Sequence, residues 1–302
     1  MTSPSVHITN PRTDTSIVKT YVELMKLRII ELLLITTLPA MVAAAGGWPG
    51  WWLVFATLFG GTLSSAGANA INQVIDRDID SVMSRTKGRP LPTKRVSTRA
   101  VLVFGVSLGI AGFAWLWVTT NLLAATLSTV GLLFYVFVYS MLLKRTTTQN
   151  IVIGGAAGAV PVLVGWAAVT NTLELPAWVM FAVVFFWTPP HFWALAIARK
   201  EDYAKVGVPM LPVTHGEPFT RLSILLYTIL LIIITILPYL TGMSGLIYLA
   251  TALVLGALFL RHAIRMRFVP GDLELPMKTF KFSITYLGIL FAALLIALSG
   301  AA

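Results

Sequence analysis

Apolar runs of about twenty residues alternate with short polar connections along the chain. A helix that crosses a bilayer needs about 20 mostly apolar residues. Nine runs approach that length: Ile29–Gly47, Trp51–Ile71, Ala100–Thr119, Leu122–Leu142, Ile151–Val169, Ala177–Ala196, Leu222–Leu240, Leu246–Arg261 and Phe282–Gly300. The pattern predicts an all-α, polytopic membrane protein of about nine transmembrane helices, forming one domain over residues 1–302. Residues 1–26 are polar and mixed in charge, with no short apolar core followed by a cleavage site. They read as a cytoplasmic N-terminal tail rather than a secretory signal. Arg12 is the only early arginine, and Asp14 and Glu23 accompany it. This composition argues against a mitochondrial transit peptide and leaves a bacterial inner membrane.

The charged residues orient the helices. With nine crossings and a cytoplasmic N-terminus, all 22 Lys and Arg fall on one side. They form five groups: Arg12 to Arg28, Arg77 to Arg99, Lys144 and Arg145, Arg199 to Arg221, and Arg261 to Lys281. The opposite loops are short and carry only Glu174. Cytoplasmic loops hold the excess of Lys and Arg, so the C-terminus is expected on the opposite side, and one crossing more or fewer would destroy the sorting. Hydrophobic residues make up 57% of the chain and charged residues 11%, against roughly a quarter charged in soluble domains. The net charge of +10 lies between apolar runs, so it suits lipid headgroups or an anionic substrate and not nucleic acid. The absence of cysteine excludes a disulfide scaffold, a thiolate metal site and a cysteine nucleophile.

The chemistry is concentrated where the second run ends. Asn72, Asp76 and Asp80 are spaced four apart. On a helix each such step turns about 400° and rises about 6 Å, so the three lie on one stripe, while Asp78 faces elsewhere. Two carboxylates and an amide suit Mg²⁺, which takes oxygen ligands and completes its shell with substrate phosphates. Without a metal the same acids would repel a diphosphate. Arg85, Lys87 and Arg89 follow at once and are placed to grip phosphate oxygens. The plainer alternative is a solvated loop whose acids and bases pair with one another.

These residues carry a resemblance. Asn72 to Asp80, then Arg85-Thr86 and Arg89-Pro90-Leu91-Pro92, resemble the first aspartate-rich motif of the UbiA superfamily of membrane prenyltransferases. Two further blocks are similar to the protohaem IX farnesyltransferase family within it: Leu143 to Pro161 running on to Ala168, and Trp187 to Trp193 followed by Asp202-Tyr203 and Gly207 to Pro212. The resemblance implies nine helices around a central cavity. It implies that Asn72, Asp76, Asp80 and Asp202 are catalytic and bind Mg²⁺, bridging it to the diphosphate of an allylic substrate. Four residues before Asp202 stands Ala198, where the superfamily's second motif has an acid, and Glu201 is next to Asp202 rather than one turn away. Lys144 corresponds to a diphosphate contact in a Tyr-x-x-x-Lys pattern, but here four residues rather than three separate it from Tyr139. Arg28 and Arg145 join Arg85, Lys87 and Arg89 as further expected diphosphate contacts.

The resemblance also implies the reaction: transfer of a farnesyl group from farnesyl diphosphate to a vinyl group of haem B, giving haem O. The implied partners are these two substrates, membrane lipid and a haem A synthase, and no nucleic acid. His191 is the haem-binding candidate. It follows Pro189-Pro190 inside an apolar run, so it either positions haem iron or bonds a backbone carbonyl that the prolines leave free. His262, among arginines, reads as a headgroup contact. Gly154, Gly155 and Gly158 read as a close helix-packing face. Two other readings stand beside this one. A related prenyltransferase could act on a quinone precursor or chlorin, and a secondary transporter would carry its acids at the midplane.

Overall fold

The computed structural model describes residues 16–299, and among them the chain is helical with no strand. His7, Arg12, Asp14 and Gly300 lie outside the described residues. Fourteen α-helices and one π-helical stretch follow in order. The long ones are α2 (Leu27–Ala45), α3 (Trp51–Ile75), α5 (Thr98–Thr119), α6 (Leu122–Leu133), α8 (Asn150–Thr170), α9 (Leu175–Ala198), α12 (Gly216–Leu240), α13 (Leu246–Phe268) and α14 (Leu275–Ser299). After α6 the helix continues through the π-helical stretch Phe134–Leu143 and the short α7 (Lys144–Thr146). The other short helices are α1 (Ile17–Met25), α4 (Arg77–Val82), α10 (Lys200–Lys205) and α11 (Leu211–Thr214).

Eight helices among the described residues are long and apolar enough to cross a membrane. The ninth expected crossing, α3, has 25 residues but is not one of those eight, because Gly, Ser, Asn and Gln dilute its apolar content. Those residues serve packing. A Cβ on Gly67 would lie 2.6 Å from the Gly105 carbonyl, and one on Gly112 would lie 2.9 Å from the Ser64 nitrogen, so α3 and α5 meet backbone to backbone. Small residues at helix interfaces permit this approach.

The helices overrun the expected spans at the basic end. α12 begins before Leu222, α13 runs past Arg261 and α14 begins before Phe282. Charged residues end an apolar run without ending a helix. The N-terminal tail is partly helical. Its last part is α1, an amphipathic helix with Thr20 and Leu24 buried and Ile17 and Val18 exposed. Tyr21 packs edge-on against Phe104 of α5 at 4.8 Å. Such a helix suits the plane of a membrane interface.

Where α1 meets α2, Lys26 adopts the left-handed conformation (φ 55°). The break leaves carbonyls without helical partners, and α3 supplies them: Asn69 Nδ2 donates to Met25 O and Gln73 Nε2 to Leu24 O, both at 2.9 Å. Lys26 is thereby fixed beside the basic end of α3.

Candidate active site

The stripe predicted at the end of α3 faces inward. Asn72, Asp76 and Asp80 are 3%, 1% and 2% exposed. α3 stops at Ile75 and α4 starts at Arg77, but the Asp80 amide still donates to the Asp76 carbonyl at 2.7 Å, so the four-residue register survives the joint. Asp78 lies on the outer side, as expected. Arg145 grips both of its carboxylate oxygens at 2.8 Å and holds its carboxyl down at about 2. That pair is fully formed above about pH 4 and is lost only as the pH falls through about 2.

Each buried acid already has a basic or hydroxyl partner. Lys144 Nζ donates to Asp76 Oδ2 at 2.5 Å. Asn72 Nδ2 donates to the same oxygen at 2.9 Å, and also to Ser140 Oγ at 2.9 Å. Arg89 Nη1 donates to both oxygens of Asp80, at 2.9 and 2.7 Å. Asp202, on α10, accepts from Ser84 Oγ at 2.5 Å. That hydroxyl holds its carboxyl below the usual range. The Ser84–Asp202 bond ties the loop after α4 to the loop after α9, so the two acidic segments meet across the basic end.

Among the described residues, no three His, Asp or Glu side chains are grouped closely enough to hold a metal by themselves. One oxygen nevertheless stands out. Asp76 Oδ1 is buried and has no hydrogen-bond partner; the nearest guanidinium, that of Arg145, is 3.9 Å away. A buried carboxylate oxygen left unpaired carries a large desolvation cost. A hard divalent cation that brings most of its own ligands fits such an oxygen.

The π-helical stretch explains the extra residue before Lys144. A π turn closes over five residues instead of four, and the Lys144 amide donates to the Tyr139 carbonyl. Ser140 Oγ likewise donates to the Tyr135 carbonyl at 2.8 Å. The widened turn brings Ser140 to Asn72 and Lys144 to Asp76. Tyr135 and Tyr139 stack with centroids 5.4 Å apart.

Lys26 has no place in the sequence-derived set. Its Nζ donates to Asn72 Oδ1 at 2.7 Å. Burial, then the charge of Arg89, push its ammonium down to about 7, against the pull of Asp76 and Asp80. Arg28, two residues on, is exposed and shares no ion pair with the site. Arg85 and Lys87 are also exposed and make no ion pair among the described residues. Glu201 is exposed where its neighbour Asp202 is buried, so only Asp202 faces the other acids' loop.

His191 lies apart, on α9. Its ring stacks on Trp187 at 4.2 Å and lies 4.6 Å from Phe280. Nδ1 is 2.6 Å from Ser283 Oγ, and that hydroxyl donates its proton to the Phe280 carbonyl at 2.7 Å. A hydroxyl has one proton, so the ring must donate through Nδ1, and in the neutral imidazole Nε2 keeps its lone pair. The partner is a side chain of α14, not a carbonyl freed by the prolines. His262 is half-buried and stacks on Phe282 at 4.9 Å, more than a headgroup contact. Gly154 and Gly155 pack closely, against Tyr139 and Thr188, but a Cβ on Gly158 would meet nothing within 4 Å. Gly158 is therefore not part of the packing face.

The UbiA prenyltransferase family model matches residues 33–287. Protoheme IX farnesyltransferase 2 of Saccharopolyspora erythraea is 50% identical over 285 residues, covering 94% of this chain and 87% of that protein. A solved digeranylgeranylglyceryl phosphate synthase superposes with a TM-score of 0.77 at 20% identity, covering 94% of this chain and 99% of its own. A UbiA homologue from Archaeoglobus fulgidus, solved with DMAPP and Mg²⁺, gives 0.65 at 16% identity, with 90% and 99% covered. These two likenesses are of fold. With the family match and a half-identical relative both spanning most of its length, the chain belongs to the UbiA prenyltransferase family, among its protoheme IX farnesyltransferases.

Proposed function

We propose that this chain transfers the farnesyl group of farnesyl diphosphate to a vinyl group of haem B, giving haem O and diphosphate. The relative's name supports the substrates. The observation that supports the site is the unpaired, buried Asp76 Oδ1 beside Lys144. Asn72, Asp76, Asp80 and Asp202 are the residues that would hold Mg²⁺, in line with the Mg²⁺-bound homologue from A. fulgidus. When bound, the ion neutralises charge on the diphosphate and stabilises it as a leaving group.

The chain's own residues supply the rest. Lys144, Arg89 and Lys26 surround the acids and are placed to meet phosphate oxygens. Arg89 holds both Asp80 oxygens, so Asp80 becomes available as Arg89 turns to the phosphate. The C–O bond of the allylic diphosphate breaks and its electron pair leaves with the diphosphate. Half-buried positive groups stabilise that growing charge more strongly than water would. The haem vinyl group supplies the electrons for the new C–C bond, and water adds its oxygen to the other vinyl carbon and loses a proton. His191, with Nε2 free, positions the haem through its iron. In this reading the basic end is cytoplasmic, the membrane is the bacterial inner membrane, and a haem A synthase takes the product.

The test is to incubate the purified chain with haem B, farnesyl diphosphate and Mg²⁺ and to weigh the haem by mass spectrometry. Farnesylated, hydrated haem is expected. Unmodified haem from a preparation that turns over another prenyl acceptor would reject the haem assignment. Within this reading, Ser84→Ala should lower turnover roughly tenfold, about the worth of one hydrogen bond to a charged group. Unchanged steady-state rates would show that the tie to Asp202 is incidental.

A further inference from the structure

Asn150 opens α8 and is 1% exposed, yet neither its Nδ2 nor its Oδ1 has a hydrogen-bond partner among the described residues. A buried, unpaired amide costs free energy that an apolar side chain of similar volume does not. Packing therefore gives no reason for an amide here.

Its surroundings do. Gly154 lies one turn further along α8 on the same face, and it abuts the Tyr139 ring. α8 and the π-helical stretch run antiparallel across the short connection from Thr146 to Asn150. Because Gly154 is level with Tyr139, Asn150 is level with Lys144, one turn nearer the basic end. The next residue, Ile151, packs in one cluster with Ile79, Met83 and Tyr203. Those three are chain neighbours of Asp80, Ser84 and Asp202. The amide thus sits at the depth of the acidic site, on the face turned toward the helix that supplies Ser140 and Lys144. One face position further on, Gly158 leaves open space.

An unpaired amide asks for at least one acceptor and at least one donor. A bare carboxylate, such as a haem propionate, offers acceptors only. A diphosphate with hydrated Mg²⁺ offers both, since its oxygens accept and the waters that Mg²⁺ retains donate. We infer that Asn150 is a substrate-binding residue for the allylic diphosphate: Nδ2 donates to a phosphate oxygen and Oδ1 accepts from water held with the cation. This rests on the prenyl-transfer reading above. Lys144 and Arg89 supply charge, and Asn150 supplies direction, fixing which phosphate oxygen is turned to the acids.

The experiment compares the full-length native chain with Asn150→Leu and Asn150→Ala in detergent. Affinity for farnesyl diphosphate with Mg²⁺ is measured by titration calorimetry, affinity for haem B by absorbance, and resting stability by thermal unfolding. Asn150→Leu should melt at a higher temperature without ligand. It should bind farnesyl diphosphate about 10- to 100-fold more weakly, with haem affinity unchanged. If Leu does not fold, Asn150→Ala carries the same binding result. Unaltered diphosphate affinity in a folded variant would overturn the inference. A loss confined to haem would overturn it as well and move the amide to the propionates. If the native chain binds farnesyl diphosphate but never farnesylates haem, the haem reading falls while the Asn150 result stands.

Discussion

Asp76→Asn is expected to lower prenyl transfer about a thousandfold or more while leaving the helices inserted and folded. The substitution keeps the volume and removes one negative charge. The new amide cannot satisfy both sides of the residue. With its NH₂ toward Lys144, it sets donor against donor across the 2.5 Å gap. With the NH₂ turned the other way, it presents a donor where Oδ1 now stands unpaired. The first orientation opposes the Lys144 ammonium and leaves only a neutral oxygen for a metal ion, and the second opposes the metal ion directly. Losing electrostatic stabilisation of a developing charge costs about 10²–10³ in rate, and weakened metal binding adds to that. In the same assay EDTA should stop the native chain and Mg²⁺ should restore it, whereas added Mg²⁺ should not restore Asp76→Asn. A variant within tenfold of the native rate at saturating Mg²⁺ would remove Asp76 from the proposed metal site.

The legible part of this molecule was its periodicity. A four-residue spacing placed Asn72, Asp76 and Asp80 on one stripe, and all three are buried. The spacing survives the joint at Asp76 because the Asp80 amide still reaches back four residues. Apolar runs located the long helices, but α12, α13 and α14 extend well past the expected spans at the basic end, where caps and packing set the ends and the runs do not record them. α3 shows the limit most clearly. Its small and polar residues lower its hydropathy for the same reason that they let α5 pack against its backbone.

Contacts between distant segments were not legible. Lys26 reaches Asn72 across 46 residues, and the geometry that puts it there is a backbone turn between two helices. A cation at the junction of an amphipathic stretch and an apolar run was the signal available, but it pointed equally to Arg28. The extra residue between Tyr139 and Lys144 was visible as an irregularity. Its meaning needed the backbone: a π turn absorbs one residue and brings Ser140 and Lys144 to the site. The bond from Ser84 to Asp202 spans 118 residues, and no local pattern encodes it.

Lys144→Met is the second large effect expected, and it separates stability from chemistry. Lys144 is the short-range counter-ion of Asp76, whose side chain is 2% exposed while that of Lys144 is 16% exposed. Removing one partner of a buried pair leaves an uncompensated charge and costs about 3–5 kcal/mol. Partial exposure of the lysine and the remaining bond from Asn72 reduce that toward roughly 2–3 kcal/mol. The resting variant should therefore melt several degrees lower. In the proposed site Mg²⁺ with farnesyl diphosphate brings positive charge to the same carboxylate, so ligand should raise its melting temperature more than it raises that of the native chain. Turnover should not recover in parallel. In the proposed mechanism the ammonium that meets the leaving group is gone, and a loss of about 10²–10³ in kcat remains. Lys144→Arg keeps the charge but moves it onto a longer planar fork, so it should retain the stability and only part of the rate. If Lys144→Met kept native kcat once ligand had restored its melting temperature, Lys144 would be a structural counter-ion alone, and the leaving group would have to be stabilised by Arg89 and the metal without it.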